Sequence, residues 1–169
     1  IEERVERSQY VKLITWIVSF IILMAGIVFP VLILWVNQDM MSKVIGASVL
    51  CLIFFTLIFT VAYQPRKLIL SETHIIMERI LGQVYISYSD ITDISLYHRE
   101  NVAEIRIFGI GGLGGYIGKF YNSKIGFYTA YVGDYSQAFL IKINNREKYV
   151  MSCRHAEKIV EEVKSRLKQ

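Results

Sequence analysis

The sequence predicts a transmembrane helical hairpin followed by a mainly-β domain of about seven antiparallel strands, bent into a sheet or half-barrel and capped by one C-terminal helix. Three observations predict it. Residues 13–38 and 44–64 are two long apolar stretches without a single Asp, Glu, Lys or Arg. After Pro65 the apolar residues recur with period two, and from about His155 they recur at helical spacing. Three segments follow: an arm over 1–12, a hairpin over 13–64 and a domain over 65–169.

A bilayer's hydrocarbon core is about 30 Å thick and is crossed by a helix of about 20 apolar residues, so both stretches are long enough. Trp16 and Trp35 stand in the first stretch, roughly 28 Å apart at 1.5 Å per residue. That spacing puts one ring at each headgroup level, where Trp is favoured. Arg4, Arg7 and Lys12 precede the first span and Arg66 and Lys67 follow the second, whereas the connection 37–43 holds only Lys43. By the positive-inside rule both termini are cytoplasmic and the short turn is external. With no ionisable residue in either span, the hairpin reads as an anchor rather than an ion or proton pathway. Trp16, Trp35, Arg66 and Lys67 are the expected membrane-surface residues.

The chain is 53% hydrophobic and 20% charged, and its net charge of +4 comes from the part after the spans. That surplus is too diffuse to argue nucleic-acid binding. Cys51 falls within a span and Cys153 in the domain, so no disulfide framework is expected.

In the domain, Val84, Ile86 and Tyr88 alternate with Tyr85, Ser87 and Ser89, and Ile105 and Ile107 with Glu104 and Arg106. Ile125, Phe127, Thr129 and Tyr131 form a further set, then Phe139, Ile141 and Ile143, then Tyr149, Met151 and Cys153. Each pattern predicts a strand with one buried face. Residues 68–70 and 75–80 read as a first hairpin around Glu72 and Thr73, and turns are expected at Gly82-Gln83, Gly133-Asp134 and Asn144-Asn145. Ala156, Ile159, Val160, Val163 and Leu167 lie on one face of a helix over about 155–168, with Ser152 as its expected N-cap.

Two membrane helices, about seven strands and a terminal helix resemble the small bacterial membrane proteins that carry a pleckstrin-homology-like domain. The resemblance rests most on Arg106-Ile107-Phe108-Gly109, the glycine-rich run to Gly118, the aromatic strands 125–132 and 138–143, and the helix from His155. It implies a PH-like barrel tethered to the bacterial cytoplasmic (inner) membrane as a multi-pass protein, and an interaction module rather than an assigned activity.

The run 109–119 contains Gly109, Gly111, Gly112, Gly114 and Gly115. Its GxGxxG spacing would serve a nucleotide only with a helix directly after it, and strand alternation follows instead. The P-loop pattern fails at Leu113 and Phe120. A hairpin that bends sharply or lets a partner's backbone approach is the simpler reading. Tyr116 and Tyr121, with Lys119 and Lys124, are the candidate exposed aromatics and cations beside it. His74, His98 and His155 have no metal-ligand spacing, and no nucleophile–base constellation stands out, so neither enzyme nor cofactor is expected. The loop Ser71-Glu72-Thr73-His74 lacks the Lys and Arg that phosphoinositide binding would need. The expected function is a non-catalytic membrane-anchored module that docks a protein partner or self-associates, its other partner being the lipid bilayer. The alternative is a membrane-proximal sensor that binds a lipid headgroup or small ligand.

Overall fold

The structure is a computed structural model that describes residues 1–36, 39–99, 104–144 and 147–167. Asn37 and Gln38 of the expected external turn, Asn145 of an expected hairpin turn and Lys168 of the expected helix lie outside them.

Helices α1 (Gln9–Val36) and α2 (Met40–Ala62) are each long and apolar enough to cross a membrane. Asp39 caps α2, its carboxylate accepting the Ser42 N–H at 3.0 Å. Gly46 is buried, and at Gly26 the Leu50 side chain comes into ordinary contact distance, so small residues let the helices approach.

Among the described residues there are ten strands in two sheets, one from the arm and nine from the domain, rather than about seven in one sheet. The first sheet is β1 (Glu2–Arg4), β2 (Pro65–Leu70), β3 (His74–Arg79) and β4 (Gln83–Ser87), in that order. The second contains β5 (Ile91–Tyr97), β6 (Glu104–Gly111), β7 (Tyr116–Asn122), β8 (Gly126–Val132), β9 (Ala138–Ile143) and β10 (Lys148–Ser152). Its order is β5-β9-β10-β8-β7-β6. All pairings are antiparallel except β8 with β10, which departs from the expected wholly antiparallel sheet. A 3-10 turn at Tyr135–Gln137 carries the chain past β8's neighbouring place to β9, and β10 then fills the gap running the same way as β8.

Two strands account for most of the difference in number. The first is β1, made by the arm, which pairs antiparallel with β2. The second is β5, whose period-two signal is erased by a register shift between Ile91 and Asp93. Its buried residues fall at Ile91, Ile94 and Tyr97, with Ile94 and Tyr97 on opposite faces.

The first core lies between the two sheets and helix α3 (Ala156–Leu167), and it centres on Leu68, Ile75, Met77, Phe139, Ile141 and Met151. The face predicted for α3 is the one buried: Ala156, Ile159, Val160 and Val163 pack into this core. Ser152 does not cap α3. It ends β10, and its hydroxyl accepts the Gly133 N–H at 2.9 Å. The first turn of α3 instead bonds Ile159 N–H to the His155 carbonyl.

The second core draws only on the second sheet and its loops, including Tyr97, Phe120, Tyr128, Ala130, Leu140 and Val150. The sheet therefore curls onto its own face. Strands β5 and β8 are three spacings apart, about 14 Å in a flat sheet at 4.7–4.9 Å each. The Tyr97 and Tyr128 rings are nevertheless 6.3 Å apart, and Asn122 of β7 donates to the Tyr97 hydroxyl at 3.3 Å.

Candidate functional site

Among the described residues the curl leaves one face of β6, β7 and β8 uncovered around Ile105, Lys119 and Phe127, while Ile117 and Tyr131 farther along the same face are covered. On the opposite side of the second sheet, the first sheet and α3 cover β5, β9 and β10. The same face continues past them to the outer strand β6. Register aligns Ile105 with Tyr121 and Phe127, and Phe108 with Lys119 and Thr129. A shift between Arg106 and Phe108 sets two residues of β6 against one of β7 and brings Ile107 out beside Phe108. Ile105, Ile107, Phe108 and Phe127 are between 54% and 72% exposed. The alternation of Ile105 and Ile107 had predicted a buried face, but no layer reaches this end of the sheet among the described residues.

Phe127 packs on Tyr121 with ring centroids 5.0 Å apart, which makes a firm aromatic shelf. Beside it lies a groove of about 560 Å³ whose lining includes Ile107, Lys119, Phe127, Glu147, Lys148 and Tyr149. The Lys148 ammonium is turned towards the Ile125 carbonyl, and the Tyr149 hydroxyl donates to the Glu147 carboxylate at 3.0 Å. Burial, followed by that bond and the charge of Glu147, pushes the Tyr149 phenol up to about 12. The surface is thus apolar with charged margins of both signs, Lys119 and Lys148 on one hand and Glu147 on the other.

The glycines are placed differently. Gly109 and Gly118 face each other across β6 and β7 with φ of +128° and +123°, and a Cβ on either would overlap the other strand's backbone. Gly112, Gly114 and Gly115 form the hairpin tip, and the tip rests on the chain's own helices. The Thr15 hydroxyl of α1 accepts the Gly114 N–H at 2.8 Å, and a Cβ at Gly114 would overlap the Gln64 amide just after α2. Gln64 in turn accepts a hydrogen bond from Arg7. Gly111 lies beside the Arg106 side chain.

Tyr116, expected at the surface, is half-buried. It lies 4.8 Å from Tyr135, with the Arg99 guanidinium 5.0 Å from its ring. Arg99 also stacks over Tyr135 at 4.6 Å and pairs with Glu104 at 3.3 Å. The Glu104 side chain is 5% exposed and accepts from the Tyr135 hydroxyl at 3.3 Å. Burial raises the phenols of Tyr97, Tyr128 and Tyr135, so they stay neutral. This cluster ties the end of β5 to the start of β6 and closes the curl. It was missed in the sequence because its members are far apart in the chain.

Of the other candidates, Lys119 is exposed at the centre of the open face and Tyr121 is half-buried against Phe127. Lys124 stands in the β7–β8 turn, its amide N–H donating to the Asn122 side chain at 2.9 Å. Lys67 pairs with Glu2 at 2.5 Å, and the Arg66 carbonyl accepts the Val5 N–H at 2.9 Å. Trp16 and Trp35 are exposed on α1. Among the described residues no group of three or more His, Cys, Asp or Glu side chains could hold a metal ion.

Comparison with curated proteins and with solved structures gives no match. Among protein families, the one described as Bacterial PH domain matches residues 66–167, which run from β2 to the end of α3. The two-sheet domain with its C-terminal helix fits that assignment, and the chain belongs to the bacterial PH domain family.

Proposed function

We propose that the protein is a non-catalytic interaction module anchored in the bacterial cytoplasmic membrane with both termini inside, and that it docks a protein partner through the open face of β6 to β8. One observation carries the reading: four large apolar side chains, Ile105, Ile107, Phe108 and Phe127, stand exposed together on and beside the outer strand β6, whose outer edge has no strand against it among the described residues. Isolated exposed apolar residues are ordinary, but a contiguous set beside a free sheet edge is what a docking surface offers. An extended segment can add to such an edge through main-chain hydrogen bonds and seat its side chains on the shelf. The glycine-rich hairpin serves this reading indirectly, since it fixes the domain to the helix ends.

Native mass spectrometry from membrane-derived nanodiscs tests the proposal. The wild-type chain should leave the membrane with a protein partner or a second copy, and Ile107→Asp should release it alone. Equal association in both forms would contradict the proposal. The groove lined by Lys119, Glu147 and Lys148 favours a second reading, a membrane-proximal sensor for a lipid headgroup or small amphipathic ligand. A monomer that retains one stoichiometric ligand would select that reading.

A further inference from the structure

We propose that the tip of the β3–β4 hairpin, Ile80 and Leu81, rests in the interfacial layer of the bilayer and gives the domain an apolar lipid contact besides its two helices. Two independent observations lead there. The first is the chemistry of the turn. Arg79 N–H donates to the Gly82 carbonyl at 3.1 Å, and Gly82 has φ +81°. Ile80 and Leu81 are therefore the central residues of a tight turn, positions where polar residues and glycine dominate. Both are large and apolar, and they are 49% and 59% exposed.

The second observation is depth. Leu81 N–H donates to the carbonyl of Ala62, the last residue of α2, at 2.7 Å. Gly114 is held at once by Thr15, the neighbour of Trp16, and against Gln64. Gln64 therefore sits at the level of Trp16, a residue type that favours the headgroup layer. Ala62 is the last residue of α2 and precedes Gln64, so it lies on the bilayer side of it. The turn bonded to it lies at the level of the Trp16 ring or deeper. A protein partner would have to enter the headgroup layer to cover it, whereas lipid is already there.

The charge behind the tip is arranged to stay out of the way. The Arg79 guanidinium stacks 5.1 Å from the Tyr63 ring and 5.7 Å from Tyr131, on the domain side of the turn. The contact is with the apolar–polar boundary of the bilayer and needs no particular headgroup. It rests on the proposed anchoring by α1 and α2 but not on the β6 surface, so this contact and the docking face fail separately.

The full chain, in a Cys51→Ala background and reconstituted in phosphatidylethanolamine–phosphatidylglycerol vesicles, tests this. Cys153 is buried and its thiol is pushed up to about 12, so it stays unlabelled. An environment-sensitive fluorophore is placed at Leu81→Cys, at Ile80→Cys and, as an aqueous reference, at Ser123→Cys in the β7–β8 turn. The tip labels should be blue-shifted and quenched several-fold more than the Ser123 label by a nitroxide near the lipid headgroup, and several-fold less by iodide. Iodide quenching equal to that at Ser123 would overturn the proposal. So would shielding from both quenchers, which would mean that protein covers the turn.

Discussion

Gly118 shows how much a single backbone position decides here. Its φ of +123° is strained for any residue with a side chain, and a Cβ would overlap the Phe108 carbonyl. Gly118→Ala should cost about 2 kcal/mol or more, from 1–3 kcal/mol of strain plus the clash. Equilibrium urea unfolding in detergent would read this, and an unchanged midpoint would show that the strand pair can relax. Val163 is fully buried on α3, so Val163→Asp should cost a few kcal/mol by burying an unpaired charge. Leu167, half-buried at the helix end, should cost less when changed in the same way.

Cys153 gives a prediction with pH. Burial pushes its thiol from an ordinary value of 9.0 up to about 12. The folded protein therefore keeps a proton that the unfolded chain releases near pH 9. The stability linked to it is complete below pH 9 and is lost as pH rises towards 12, at up to about 1.4 kcal/mol per pH unit. Tyr149, raised from 10.0 to about 12, adds in the same sense from pH 10. Urea midpoints across pH 9–12 should fall less steeply in Cys153→Ala than in the parent. Identical slopes would assign the alkaline loss elsewhere.

At the scale of elements, strands whose large residues alternate were legible in the sequence, and those whose alternation is broken or whose partner lies in the arm were not. The hairpin β2–β3, the strand β8 and the stripe of α3 follow from periodicity because each has one face on a core, whereas β9 and β10 are covered on both faces and show only in the alternation of their larger residues, Phe139, Ile141 and Ile143, then Tyr149 and Met151. The strand β5 is buried on both faces and carries a bulge, so no alternation survives. The strand β6 does alternate, yet its Ile residues are exposed because alternation reports a common face and not what covers it. The Ile107-Phe108 pair, two large apolar residues in succession, was the available sign of the bulge. The arm's role was hidden in its charges. Glu2 meets Lys67, Glu3 meets His155 and Glu6 meets Arg154, so a segment that looked like a balanced tail is the first strand of a sheet. Because β6 is already exposed, Ile107→Asp should change stability by no more than about 0.5 kcal/mol while removing association. A large loss of stability would mean that the residue serves the fold.

At the scale of the molecule, the domain is held to its anchor at both helix ends. The glycine hairpin sits on Thr15 and Gln64, the β3–β4 turn sits on Ala62, and Ser8 N–H donates to the Gly133 carbonyl at 3.2 Å where the arm enters α1. Arg66 and Lys67 could add about 1 kcal/mol each against an anionic leaflet, but Lys67 already pairs with Glu2. Changing both to Gln should leave the topology intact, with a Ser123 label protected and a Ser42 label reached from outside intact cells. Protease resistance of residues 109–118 in anionic liposomes should also be unchanged, because hydrogen bonds and packing hold that hairpin. Faster cleavage there would mean that charge holds the domain down.

Site-specific photo-crosslinking along β6 in native membranes tests whether a partner docks on the open face of β6 to β8. A reactive residue placed in turn at Ile105, Ile107 and Phe108 should give one discrete adduct that disappears when Phe127→Asp is added. Its mass separates a second copy from another protein. The same group at Lys158, on the exposed side of α3, should give none. No adduct along β6, or the same adduct from Lys158, would contradict the claim.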